Sequence, residues 1–207
     1  MKLISKDRLS KAIVNTESFP FFHVENVFLE NINEELIIND FPEIADGGSF
    51  HVKDKPSGDN IYQLVKELES DEFREILEAK FNLALNNAKV VTTLRGYSRK
   101  KDGKIHTDSK TKIVTVLLYL NSNWSPENGN LRLLRGNNNL EDYIKEIPCT
   151  FGNLVAFEVT DECWHGFMPY EGKRLSIQLN YIYPKAFTYH NLRHKLSSRL
   201  KSMFKTN

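Results

Sequence analysis

Three side chains in the second half of this sequence have the chemical types of a metal-binding set. His106 and Asp108 are separated by one residue, and on an extended segment residues i and i+2 lie on the same face. An imidazole nitrogen and a carboxylate oxygen can then bind one ion, although the triplet alone also fits a turn aspartate beside a surface histidine. His165 would complete two histidines and one carboxylate on one side of a metal, which suits Fe(II) with open coordination positions. Zinc prefers a closed tetrahedral set with more nitrogen or sulfur ligands.

The segment after His165 contains groups suited to binding a carboxylate. Arg174 carries a planar guanidinium that can donate two parallel hydrogen bonds to one carboxylate. Ser176, on the same face of a predicted strand, adds a hydroxyl donor. A dicarboxylate bound there could reach the metal with its other end, and 2-oxoglutarate has a keto acid end that chelates iron. The residues therefore predict Fe(II) and 2-oxoglutarate in one cavity.

After residue 88 the apolar residues alternate with a period of two between turn signals such as Asp102-Gly103. The predicted strands are residues 89–97, 112–120, 130–134, 154–159 and 174–183. This spacing predicts a two-sheet β-sandwich or jelly roll with helices packed outside one sheet. Residues 113–120 are apolar on both faces except Thr115 and Tyr119, which predicts a central strand covered on both sides.

The first part of the chain has a helical pattern. Residues 19–29 predict an early strand, and residues 33–38 a short helix. Apolar residues recur at three and four positions over residues 60–81, interrupted at Ser70, whose hydroxyl can cap a second helix. We expect one domain over residues 1–207, with a helical part about 1–88, a jelly-roll core about 89–184 and a basic C-terminal helix about 185–207.

The last predicted strand, residues 174–183, alternates between apolar residues and a polar set that includes Gln178 and Asn180. Buried polar groups without partners cost about 1–3 kcal/mol each, so a polar inner face indicates a cavity with a polar ligand. The two amides would line the substrate side of that cavity, or would hydrogen-bond to each other inside the protein.

Composition narrows the class of protein. The mean hydropathy is −0.46 and no apolar run is long enough for a membrane span. The first residues become charged before the apolar core of a signal peptide could form, so we expect a cytoplasmic protein.

Cys149 and Cys163 are too few for a disulfide framework and are expected to be reduced and buried. No Asp or Glu follows Glu171, so the C-terminal helix would pack on the body or bind an anionic partner.

Five ordered blocks carry a family likeness. They are His106-x-Asp108, residues 114–121, residues 129–133, residues 152–157, and residues 165–176 with the pattern His-Gly-x-x-Pro-x-x-Gly-x-Arg-x-Ser. Together they resemble the Fe(II)/2-oxoglutarate-dependent dioxygenases of the prolyl-4-hydroxylase-like group, over roughly residues 20–183. The resemblance implies a mainly β protein with flanking helices and a double-stranded β-helix core, the jelly roll of cupin-like proteins.

The resemblance also implies roles for individual residues. It makes His106, Asp108 and His165 the catalytic iron ligands, and Arg174 with Ser176 the site for the distal carboxylate of 2-oxoglutarate. By the same likeness Tyr119 and Tyr97 would place their hydroxyls on 2-oxoglutarate; alternatively, both pack in the core or at its rim. Asn128 stands where the family usually has a first of two glycines, and asparagine tolerates the left-handed backbone of such a turn.

The expected function is a dioxygenase that hydroxylates an unactivated C–H of a polar substrate, releasing succinate and CO2, with ascorbate as an optional reductant. Asp108 favours hydroxylation because related halogenating enzymes lack this carboxylate. Two alternatives are a peptidyl-prolyl hydroxylase acting on a protein and a non-catalytic sensor module that binds metal and 2-oxoglutarate. The expected partners are molecular oxygen and a small-molecule or peptide substrate. A nucleic-acid substrate is disfavoured because Asn180 stands where nucleic-acid dealkylases typically carry a second arginine.

Overall fold

The computed structural model describes residues 2–125 and 127–186, in which nine β-strands form two antiparallel sheets. The strands are β1 (Phe21–Val24), β2 (Phe50–His51), β3 (Lys89–Ser98), β4 (Lys112–Tyr119), β5 (Leu131–Leu134), β6 (Tyr143–Ile147), β7 (Leu154–Glu158), β8 (His165–Gly166) and β9 (Gly172–Ile182). The helices are α1 (Lys6–Lys11), α2 (Glu34–Asn39), α3 (Asp59–Leu68) and α4 (Asp71–Phe81), with a 3-10 turn at Val52–Asp54. This mainly β architecture confirms the predicted jelly-roll class.

The larger sheet has the strand order β1-β7-β4-β9-β3-β2. β4 lies in its middle, so that Val116 is flanked by Ala156 of β7 and Leu179 of β9. Val114 and Leu118 are buried in the core against the helices, and Tyr119 on the opposite face is buried in the cluster with Leu131 and Leu133 of the smaller sheet. The prediction of a central strand covered on both sides is confirmed.

The main hydrophobic core lies between the larger sheet and the helices. Its buried members include Ile61, Leu64, Leu68, Phe73 and Leu77 from α3 and α4, and Leu94, Val114, Leu118, Ile177 and Leu179 from the sheet. Burying a leucine or phenylalanine of this kind stabilises the fold by about 1.5–3 kcal/mol. Ser70 separates the two helices, and its hydroxyl accepts a hydrogen bond from the Phe73 amide at 3.2 Å. The predicted break between two helices in series is therefore confirmed.

The smaller sheet has the order β6-β5-β8. A second hydrophobic cluster joins it to the larger sheet, with Leu131 and Leu133 of β5 packed among Phe19, Tyr119 and Phe157. Since β5 pairs with both of its neighbours, this cluster fixes β8 relative to the larger sheet. The position of β8 matters because its first residue is His165.

Three elements differ from the sequence predictions. The early strand is shorter than predicted, because the Asn26 side chain accepts a hydrogen bond from the Phe28 amide and turns the chain after β1. Helix α1 was not predicted, since it has six residues and only Leu9 is buried, too little for a periodic signal. Strand β6 was also missed, because only Ile147 is buried in it and the strand lies at a sheet edge.

Three further predictions concern the ends of the chain and its cysteines. No helix among the described residues is long and apolar enough to cross a bilayer. The predicted basic C-terminal helix falls almost wholly on residues 187–207, which lie outside the described residues. Cys149 and Cys163 are both free and buried, as predicted.

The substitution Ser70→Ala tests the cap between α3 and α4. Without the hydroxyl, the Phe73 amide loses its acceptor, so the free energy of unfolding should fall by about 1 kcal/mol. Urea denaturation followed by circular dichroism measures the change. The exposed residue Ser10 in α1 provides the control, and Ser10→Ala should change stability by less than about 0.5 kcal/mol. An equal loss in both variants would contradict the capping role.

Candidate metal and cosubstrate site

Two reciprocal backbone hydrogen bonds join His106 to His165. The amide of each histidine donates to the carbonyl of the other, both at 3.0 Å. His165 opens β8, which pairs with β5 at Leu133, so the loop between β3 and β4 is held against the smaller sheet. The imidazole rings of the two histidines lie 4.3 Å apart between centroids. Residues distant in the sequence are thus brought to one place by main-chain pairing.

The loop that carries His106 begins with a tight turn. Asp102 accepts hydrogen bonds from the Arg99 amide at 2.9 Å and from its guanidinium at 2.8 Å. Gly103 follows with φ of 87°, and a Cβ at this position would lie 2.6 Å from the ring of Phe167. Both the left-handed backbone and the close approach require glycine. The predicted turn is confirmed, and it directs the chain towards β8.

His106, Asp108 and His165 each offer one ligand atom, and these three atoms lie within 4.8 Å of one another. The Nδ1 atoms of His106 and His165 lie 2.8 Å from the carbonyl oxygens of Lys104 and Cys163, respectively. Because a carbonyl oxygen only accepts, each Nδ1 carries the proton and each Nε2 keeps its lone pair. Backbone acceptors of this kind orient the ring and favour metal binding through Nε2.

Asp108 is held by two neighbours in the largely buried space behind the histidines. Lys112 Nζ donates to Oδ1 at 2.7 Å, and Thr115 Oγ1 donates to Oδ2 at 2.5 Å. Burial alone would raise the pKa of Asp108, but Lys112, His165 and these hydrogen bonds outweigh it and lower the pKa to about 2. Burial also lowers the pKa of His165 to about 4. At neutral pH the site therefore contains an ionised carboxylate and a neutral His165, both in metal-binding form.

Arg174 is buried near the start of β9, and three groups fix its guanidinium. Nε donates to the Gly129 carbonyl at 2.9 Å, and Nη2 lies 3.4 Å from Tyr119 Oη. The centroid of the Phe167 ring is 4.2 Å from the guanidinium carbon, a distance typical of a cation–π contact. Burial raises the pKa of Tyr119, so its hydroxyl remains protonated. The arginine is thus held in one orientation before any ligand binds.

The polar face of β9 meets the histidine and aspartate cluster. Arg174, Ser176 and Gln178 line the same cavity as His106, Asp108 and His165. Ser176 Oγ is buried without a hydrogen-bond partner among the described residues. Asn180 does not line the cavity; its Oδ1 accepts a hydrogen bond from Gln178 Nε2 at 3.2 Å. Internal hydrogen bonding therefore holds for both amides, and Gln178 in addition lines the cavity.

Tyr97 is not brought to this cavity, whereas Arg95 is. A β-bulge between the two residues shifts the register, so that Arg95 lies opposite Ser176 and Tyr97 lies opposite Lys173. Directly opposed residues point to the same side of a sheet. Arg95 therefore shares the face of Ser176, and Tyr97 the opposite face. Regular alternation along β3 would place both on one face, so the separation of Arg95 from Tyr97 could not be predicted from the sequence.

Three other residues of the cavity were also missed as functional candidates: Lys112, Thr115 and Phe167. Thr115 had a detectable signal, since it is a polar residue in an otherwise apolar central strand. Lys112 and Phe167 had none, because a lysine at a strand end and a phenylalanine after a histidine occur in many other settings. Their roles depend on contacts between distant segments.

The family comparison agrees with this geometry. A family model described as the 2OG-Fe(II) oxygenase superfamily matches residues 92–182, which run from β3 to β9. These residues are therefore similar to a 2OG-Fe(II) oxygenase domain. The match supports a 2-oxoglutarate-dependent dioxygenase that uses Fe(II) and 2-oxoglutarate. No curated protein matches the sequence significantly.

Solved structures share the fold of this chain. A viral collagen prolyl hydroxylase from Paramecium Bursaria Chlorella virus-1, solved with 2-oxoglutarate, aligns with a TM-score of 0.54 at 15% identity, over 78% of this chain and 94% of its own. A prolyl 4-hydroxylase from Phytophthora capsici aligns with a TM-score of 0.53 at 16% identity, over 87% of this chain and 63% of its own. At such identities the likeness shows the fold alone.

Asn121 ties the start of β9 to the neighbouring segment. Its Nδ2 donates to the carbonyls of Cys149 at 2.6 Å and Leu175 at 3.1 Å, and its Oδ1 accepts from the Leu175 amide at 2.6 Å. Leu175 directly follows Arg174, so this amide positions the backbone of the arginine. All of these groups are buried.

The substitution Asn121→Ala should destabilise the protein strongly. The Cys149 carbonyl and the Leu175 amide lose their partners, while the Leu175 carbonyl keeps its hydrogen bond from the Leu120 amide. Each unpaired group costs about 1–3 kcal/mol, so the free energy of unfolding should fall by about 2 kcal/mol or more. Chemical denaturation measures this fall. The exposed Asn138 supplies the control, and Asn138→Ala should be close to neutral. A loss below about 1 kcal/mol for Asn121→Ala would show that the clamp is unimportant.

Proposed function

We propose that this cavity is the active site of a hydroxylase in which His106, Asp108 and His165 bind Fe(II). The observation that carries the proposal is the convergence of three ligand atoms within 4.8 Å, with both histidines in the Nε2 lone-pair form. Two histidines and one carboxylate leave positions open for other ligands, as Fe(II) oxygenases require. The residues present therefore fit the metal.

We further propose that Arg174 binds the distal carboxylate of 2-oxoglutarate. The guanidinium uses Nε for the Gly129 carbonyl and one Nη2 hydrogen for the Tyr119 hydroxyl, which leaves Nη1 and the second Nη2 hydrogen as donors for a carboxylate. The protonated hydroxyl of Tyr119 and the unpartnered hydroxyl of Ser176 are further donors on the same side. An orphaned buried hydroxyl costs free energy unless a ligand accepts from it, so Ser176 supports a ligand at this position.

The side chains have distinct tasks in this proposal. Lys112 and Thr115 hold Asp108 ionised and oriented, and the carbonyls of Lys104 and Cys163 hold the histidine rings. Fe(II), when bound, supplies oxygen activation coupled to oxidation of 2-oxoglutarate to succinate and CO2, with hydroxylation of the substrate. The protein orients the ligands.

We propose a small polar molecule as the substrate. Gln178 presents an amide to the cavity beside charged groups, and polar lining of this kind is matched to a polar ligand. A peptidyl-prolyl substrate is the second candidate, favoured by the names of the structural neighbours, which are prolyl hydroxylases. The family match disfavours a purely non-catalytic sensor. A reducing compartment such as the cytoplasm suits the two free, buried cysteines.

The substitution His165→Ala should abolish tight metal binding. Removing one of three protein ligands should raise the dissociation constant for Mn(II), used as an oxygen-stable probe, by well over about tenfold. Equilibrium dialysis measures the constant. His51→Ala, in β2 and away from the cluster, should leave it within about twofold. If wild type and His165→Ala bind Mn(II) equally, the assignment of the metal site fails.

The substitution Arg174→Gln should weaken 2-oxoglutarate binding to the Mn(II) protein. Charge-assisted hydrogen bonds contribute about 1.5–3 kcal/mol, so the dissociation constant should rise about tenfold to one hundredfold. Calorimetric titration with 2-oxobutyrate, which lacks the distal carboxylate, provides the control and should show little difference between wild type and variant. Equal weakening of both ligands would contradict the assignment of Arg174 to the distal carboxylate.

Succinate release separates the two substrate classes. Under Fe(II), oxygen and ascorbate, the wild type should form succinate slowly without substrate, and faster when a true substrate is added. Small polar compounds such as hexoses and amino acids should stimulate release, whereas proline-containing peptides should not. The reverse pattern would replace the first candidate with the second.

A further inference from the structure

Arg95 places a second guanidinium in the cavity that contains the histidine and aspartate cluster. It lies on β3 directly opposite Ser176 of β9, and its side chain lines the cavity together with Asp108, Tyr119 and Arg174. The proposed metal set does not include it, and neither do the proposed contacts to the distal carboxylate. The presence of this arginine in the cavity therefore needs a separate explanation.

The Arg95 guanidinium has no counterion within the described part of the chain. Its Nε is buried without a hydrogen-bond partner. Burial and the charge of Arg174 lower the pKa of Arg95, yet an arginine remains protonated at neutral pH. Other arginines are paired: Arg99 with Asp102, Arg132 with Glu141 and Glu146, and Arg135 with Glu17 and Asp142. Arg95 is half-buried, and a cation that is partly removed from water without a partner is costly unless an anion binds beside it.

The fixed charges around the cavity are unequal. Arg95, Lys112 and Arg174 are positive, and Asp108 is the one carboxylate among the described residues that line it. Lys112 is already ion-paired with Asp108 at 2.7 Å. In the proposed function the distal carboxylate of 2-oxoglutarate neutralises Arg174, while Asp108 and the keto acid carboxylate neutralise the metal. Positive charge is then still in excess at Arg95 and Lys112, and of these two only Lys112 has a carboxylate in contact, that of Asp108.

We propose that Arg95 binds an anionic group, of the carboxylate type, carried by the substrate. This inference depends on the proposed function and narrows its substrate class from polar to acidic molecules. The carboxylate at the keto acid end of 2-oxoglutarate could also bind Arg95, but its charge is already balanced by the metal. The planar Arg95 guanidinium would both select an acidic substrate and orient it relative to the iron.

The experiment uses the Mn(II)-loaded protein saturated with 2-oxoglutarate, which does not turn over. Acetate serves as the simplest anionic probe and acetamide as its neutral isostere. Enhancement of probe proton relaxation by the bound Mn(II) reports probe molecules that enter the cavity. The variants are Arg95→Gln, Arg95→Lys, and the surface control Arg135→Gln.

In the wild type, bound Mn(II) should strongly enhance the proton relaxation rate of acetate and only weakly enhance that of acetamide. Arg95→Gln should weaken acetate binding about tenfold, as expected for loss of a charge-assisted hydrogen bond. Arg95→Lys should restore part of the binding because it keeps the charge, and Arg135→Gln should match the wild type. Unchanged acetate relaxation in Arg95→Gln overturns the proposal.

A second measurement identifies the source of the anion. Calorimetric titration of the Mn(II) protein with 2-oxoglutarate and with 2-oxobutyrate should give dissociation constants within about twofold for Arg95→Gln and wild type. If both constants rise about tenfold instead, Arg95 binds the keto acid carboxylate and the substrate proposal is overturned. Failure of the wild type to bind Mn(II) or 2-oxoglutarate would overturn the proposed function itself, a result distinct from either outcome for Arg95.

Discussion

The reciprocal hydrogen bonds between the backbones of His106 and His165 are the constraint on which the site depends. They join the loop after β3 to the first residue of β8, which is fixed by its pairing with β5 and by the apolar cluster between the sheets. Without this contact the two imidazoles would belong to independently moving segments, and a metal would have to organise them at an entropic cost. With it, the donor atoms are close together before any ion binds.

Strand β9 connects the stability of the fold to the chemistry of the cavity. Leu175, Ile177 and Leu179 lie in the main core, while the alternating residues Arg174 and Ser176 face the cavity. Because side chains alternate strictly, a slip of one residue would bury the arginine in the apolar core, so the register is strongly specified. Asn121 secures the start of this strand through its hydrogen bonds to Leu175. The same packing that stabilises the domain therefore directs Arg174 into the cavity.

The electrostatics of the cavity follow from burial. Low solvent access keeps His165 neutral, and Lys112 and Thr115 keep Asp108 ionised, so the groups are in metal-binding form at neutral pH. The excess of guanidinium over carboxylate gives the lining of the cavity a positive fixed charge, which attracts anions. The two cavity arginines differ in their hydrogen bonds: Arg174 Nε donates to the Gly129 carbonyl, whereas Arg95 Nε is buried without a partner among the described residues.

The sequence by itself determined the jelly-roll class, the two helices divided at Ser70, the central strand, and the candidate residues His106, Asp108, His165 and Arg174, because these depend on local periodicity, capping and residue type. It could not determine which polar residues meet in the cavity. The β-bulge after Arg95 places Arg95 and Tyr97 on opposite faces of β3. Asn180 accepts a hydrogen bond from Gln178 and does not line the cavity. Only the tertiary structure decided these points, since register shifts and contacts between distant strands leave no periodic mark in the sequence.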